Sequence, residues 1–125
     1  MTRAPLVLAG VAALMGAAGV ALAAAGVHEN GGELAERGAL FLLLHAAAAL
    51  AIAAHARIAN APAHALLIVG FVMEAGAILF SGELAMHVFT GERIFPFAAP
   101  IGGTTMMLSW IALAVVFAAA SRREV

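Results

Sequence analysis

The chain has 125 residues, 65% of them hydrophobic and 10% charged, with a formal net charge of −1 and no cysteine. An ordinary soluble domain is about half apolar and a quarter charged, so this composition excludes one. The lack of Cys excludes a disulfide framework and a thiolate nucleophile or metal site, and the near-zero charge excludes a basic face for nucleic acid.

Four apolar runs each approach the roughly 20 residues that a membrane helix needs. The first covers residues 5–26, with Pro5 suited to a first helical turn. It has some marks of a secretory signal, Arg3 before an apolar core and A-x-A-like sites at Ala21–Ala25, but it is longer than a signal core. A polar link follows, with a turn at Asn30-Gly31-Gly32 and acids that suit the start of a helix. The second span covers residues 38–58, and Asn60-Ala61-Pro62 turns the chain. The third covers residues 64–89. A link with Gly91, Pro96 and Pro100 as breakers leads to the fourth, residues 101–120. The expected fold is all-α: one integral membrane domain over residues 1–125, a four-helix up-down bundle with short links between antiparallel neighbours.

Arg3, Arg57, Arg122 and Arg123 fall on one side of this arrangement, Arg37 and Arg93 on the other. The positive-inside rule then puts both termini in the cytoplasm, and the expected location is a bacterial inner membrane. The first span is rich in small residues, and the pairs Ala12–Gly16 and Gly19–Ala23 allow close backbone approach. Packing within the bundle is the simpler use of that pattern, and self-association is the sharper one.

Charge is costly at bilayer depth, so the acids inside the third span are the first candidates for function. Glu83 and His87 lie four residues apart, on one helix face. By topology His28, at the end of span one, and His45, in the same half of span two, share their depth. His28, His45, Glu83 and His87 together suit Zn²⁺ or Cu²⁺, with a hydrogen-bonded polar cluster as the simpler reading. A haem held by paired His ranks lower, because small-residue packing argues for a tight bundle. Glu74 lies near mid-span, nine residues from Glu83 and about 180° round the helix, with Ser81 on its own face. It is expected to be neutral, to pair with a group such as His45, or to face a wet cavity or a neighbouring subunit. A proton relay and interhelical hydrogen-bond glue are its two readings. His55 and His64 are expected at an interface, and Arg37 and Arg93 are expected to snorkel. No nucleophile elbow, HExxH, P-loop or dinucleotide fingerprint is present.

Several segments carry a resemblance. Leu79 to Gly91, LFSGELAMHVFTG, resembles the LFSGSLYLLALTG-type segment of the domain-of-unknown-function family 423, whose animal branch is called transmembrane protein 256. Pro100-Ile101-Gly102-Gly103 with Trp110 downstream resembles that family's TPxGG…GW segment, Leu44-His45-Ala46 its YHALALL segment, and Ala25-Gly26-Val27-His28 its GAFGAH segment. The resemblance implies a small four-helix membrane protein and no particular reaction. It does not supply Glu83, which stands where the pattern has a small polar residue, or His87, which replaces an apolar one. Leu44 replaces an aromatic.

The expected function is a non-enzymatic accessory or scaffold subunit in the bilayer, forming a homo-oligomer or joining a larger membrane complex. The alternative is a Zn/Cu or proton-handling protein, and a haem- or metal-dependent membrane enzyme comes third.

Overall fold

A computed structural model of the protein describes residues 3–124. These form four α-helices: α1 Ala4–Gly26, α2 Gly32–His55, α3 Ala63–Thr90 and α4 Ala98–Ser121. Each is long and apolar enough to cross a membrane. At about 1.5 Å per residue α3 is roughly 42 Å long, which exceeds the hydrocarbon thickness of about 30 Å.

Three boundaries follow from local chemistry. α2 starts at Gly32, so the helix takes in the acids of the link ahead of the span expected from residue 38. Gly31 adopts φ 89°, which a side chain would oppose, and its carbonyl accepts from Leu34 N–H at 2.9 Å. Glu33 then sits in the first turn, at the positive end of the helix dipole. α2 also stops at His55 rather than residue 58, and the reversal falls at Asn60, whose φ is 64°. Asn tolerates this left-handed conformation better than other side chains do. α3 ends at Gly91, whose N–H bonds the His87 carbonyl at 3.0 Å.

The contacts between helices fix an up-down order. Leu22 of α1 meets Gly38 of α2, Ser81 of α3 bonds Gly38, and Gly76 of α3 lies against Gly102 of α4. α1 packs mainly on α2, and α4 on α3, so α2 and α3 form the buried centre. The core runs in three layers along the bundle. Leu8, Ile52, Leu66 and Leu113 fill one end; Met15, Leu42, Ala77 and Met106 fill the middle; Leu22, Ala35 and Ala39 fill the other end. Arg3, Arg57, Arg122 and Arg123 therefore share the first end, while Arg37 and Arg93 lie at the opposite one.

The α3–α4 contact is made by backbone. A Cβ on Gly102 would stand 2.7 Å from the Gly76 carbonyl oxygen and 2.7 Å from the Phe80 nitrogen. Small residues at such a crossing let two helices touch without intervening side chains.

Candidate functional site

The polar side chains of the third span sit on two different faces of α3. Gly70, Glu74, Ala77 and Ser81 form one buried stripe, directed at α1 and α2, because Gly70 faces Leu8 and Ile52 and Ser81 faces Gly38. Gly76 and Glu83, seven residues apart, form another, directed at α4. Glu74 and Glu83 thus serve separate contacts, as their nine-residue spacing requires.

Glu74 is 2% exposed, and its Oε1 has no hydrogen-bond partner. It lies between the core layer of Met73 and that of Ala77. Two helical turns further along the same stripe, the chemistry differs. The Ser81 hydroxyl donates to the Gly38 carbonyl at 2.7 Å and ties α3 to α2.

His45 is also 2% exposed. Its Nδ1 lies 2.7 Å from the Phe41 carbonyl, one turn back on its own helix, and must be the donor there. Its Nε2 accepts the indole N–H of Trp110 at 3.1 Å. The two partners together assign a neutral imidazole with its proton on Nδ1. Phe41 stacks on the imidazole with ring centroids 6.1 Å apart, and Phe80 meets Phe41 edge-on at 5.1 Å. The histidine therefore closes an aromatic cluster that links α2, α3 and α4. With both nitrogens engaged it does not pair with Glu74, which was one of the alternatives for that acid.

Glu83, 5% exposed, accepts the backbone N–H of Ile94 through Oε2 at 2.7 Å. That amide belongs to the link before α4, where no helix or sheet supplies it an acceptor. The carboxylate thus anchors the link to α3.

The expected ligand set His28, His45, Glu83 and His87 is not drawn together. His45 is committed to α4 and Glu83 to Ile94, while His28 and His87 lie exposed on the surface. Among the described residues, no three His, Asp or Glu side chains form a group that could hold a metal ion. The physical reason is depth as well as rotation. Ser81 meets Gly38, so Glu83 and His87 lie outward of that level, while His45 stands seven residues, about 10 Å, further in. His55 and His64 are exposed, as expected for the ends of spans.

Trp110 is not among the sequence candidates, yet it completes the network. The available signal was a single indole N–H within a long apolar run, where a membrane supplies no water to accept it. Nothing in the sequence specifies that the acceptor is His45, 65 residues away.

Among the described residues, the interior side chains tie the helices together and leave Oε1 of Glu74 without a partner. No solved structure matches the chain. Residues 15–103 match the family described as Protein of unknown function (DUF423), and the chain belongs to that family.

Proposed function

We propose that the protein is a non-enzymatic accessory or scaffold subunit of a bacterial inner membrane, with both termini cytoplasmic, that associates with copies of itself through the outer face of α1. The arginine distribution supports the orientation. One observation carries the association. Opposite its buried face, α1 presents Gly10, Ala13, Ala17, Ala21 and Ala24 at helical spacing, all exposed, with open space beside Gly10. Leu6 and Leu14 stand exposed beside this stripe, and the outward face of α4 carries more bulk, with Ile101, Met107, Leu108, Ile111 and Val115 exposed. Bulky aliphatic side chains suit lipid contact, whereas a stripe of small residues suits the close approach of another helix.

The test is native mass spectrometry from mild detergent, with in-membrane cross-linking. The wild type is expected as an oligomer. Ala17→Phe should shift it to monomer, while Ile111→Phe on the α4 face should leave it unchanged. A wild-type monomer in both measurements overturns the proposal.

A second reading, proton handling, is supported by Glu74 alone. A buried carboxyl without a hydrogen-bond partner is the type of group that intramembrane proton relays use. Proteoliposomes with an internal pH dye test it. Proton flux lost in Glu74→Gln supports this reading, and wild-type vesicles no leakier than empty ones rule it out.

A further inference from the structure

At the arginine-rich end, a cleft of about 770 Å³ opens between the last turns of α4 and the α2–α3 turn. It exists because α4 packs along α3 and does not close on α2. The two meet here through Phe117, whose ring stands edge-on to His55 with centroids 5.0 Å apart. One part of the lining is apolar, a wall of Val115, Phe117, Ile58 and Pro62. The other, which we assign as the mouth, is polar, with Asn60, Ser121 and Arg123.

Three features specify the occupant. The first is sign: Arg3, Arg57, Arg122 and Arg123 share this end with one acid, Glu124, among the described residues. The second is the start of α3. Pro62 and Ala65 line the cleft; the Ala63 amide already bonds the Ala61 carbonyl, so the first-turn amides left to a ligand are those of His64 and Ala65, and the ends of α2 and α4, which also line the cleft, carry the opposite sign. The third is continuity. Val115 belongs both to the cleft wall and to the exposed apolar face of α4, so the wall passes onto the outside of the bundle. A free phosphate would use the mouth and leave the wall bare. An amphiphile with an anionic head uses both, as basic pockets between membrane helices do.

We infer that this cleft binds an anionic phospholipid, with its phosphate between Arg123, Asn60 and the start of α3 and an acyl chain along Val115 and Phe117. Glu124 lines the same mouth and opposes the headgroup charge, so it sets a limit on affinity.

Full-length protein in mild detergent is titrated with phosphatidylglycerol, with phosphatidylcholine and, separately, with inorganic phosphate. Bound lipid is read by native mass spectrometry and stability by thermal melting. Phosphatidylglycerol should be retained in preference to phosphatidylcholine. Arg123→Gln should weaken it about fivefold. Arg122→Gln removes the same charge outside the cleft and should have no such effect. Ala119→Trp should weaken retention by filling the cleft, which Ala119 lines. All three positions are exposed, so the variants keep the fold. Equal retention of both lipids, equal losses in Arg122→Gln and Arg123→Gln, or stabilisation by phosphate alone that matches the lipid would each overturn the assignment.

Discussion

The indole N–H of Trp110 reaches Nε2 of His45 across 3.1 Å, joining α4 to α2, two helices with no close backbone contact. The bond orients the imidazole, since His45 can accept at Nε2 only while Nδ1 donates to Phe41. Trp110→Phe keeps an aromatic ring and deletes the donor. It should destabilise the protein by about 1 kcal/mol, the upper range for an interhelical bond between membrane helices. In a double-mutant cycle with His45→Ala the two losses should not add, because either change removes the same contact. Fully additive losses would mean that the contact contributes nothing.

Glu74 makes the opposite prediction. An unsatisfied buried oxygen costs about 1–3 kcal/mol, so Glu74→Met, which keeps the length and removes the polar atoms, should raise stability by an amount in that range. Thermal melting in detergent reads the effect. A marked fall in melting temperature would reveal a partner for the carboxyl.

Glu83 holds the α3–α4 link through one amide. In Glu83→Ala that amide loses its acceptor, and hydrogen exchange at Ile94 should accelerate strongly. The global loss should be about 1–2 kcal/mol. Exchange at Ile94 unchanged from wild type would count against the anchoring role.

Two neighbouring glycines should behave differently. At Gly102 an added methyl meets backbone atoms at 2.7 Å, which cannot yield, so Gly102→Ala should cost roughly 2–3 kcal/mol through forced separation of α3 and α4. At Gly103 the same methyl meets the Phe80 ring at 3.8 Å, an ordinary contact, and Gly103→Ala should be near neutral. Chemical denaturation of the two variants side by side checks the contrast.

The helices were legible in the sequence because their signal is local. Runs of apolar residues of membrane length, broken at Asn30-Gly31, Asn60-Pro62 and Pro96, set the number of helices and their approximate ends. α2 begins at Gly32, ahead of the apolar span, because Gly31 takes a left-handed turn and acids favour a first turn, as the link's composition suggested. The 180° separation of Glu74 from Glu83 was legible too, since helical geometry fixes it along one helix.

The site was legible only in part, because rotation between helices is set by packing. Topology put His28, His45, Glu83 and His87 at overlapping depth, but the contact of Ser81 with Gly38 leaves His45 about 10 Å further in than that level, and topology alone could not say which way each one turned. The close approach of Gly76 and Gly102 brings α4 against α3, and the aromatic cluster of Phe41, Phe80 and His45 then receives Trp110. That packing takes His45 away from any ligand set and leaves Glu74 without a hydrogen-bond partner on Oε1. Composition and spacing determined an apolar four-helix chain with acids buried on opposite faces of α3. The tertiary structure decided which polar groups found partners, because a hydrogen bond between helices depends on their mutual rotation, which no local run of residues encodes.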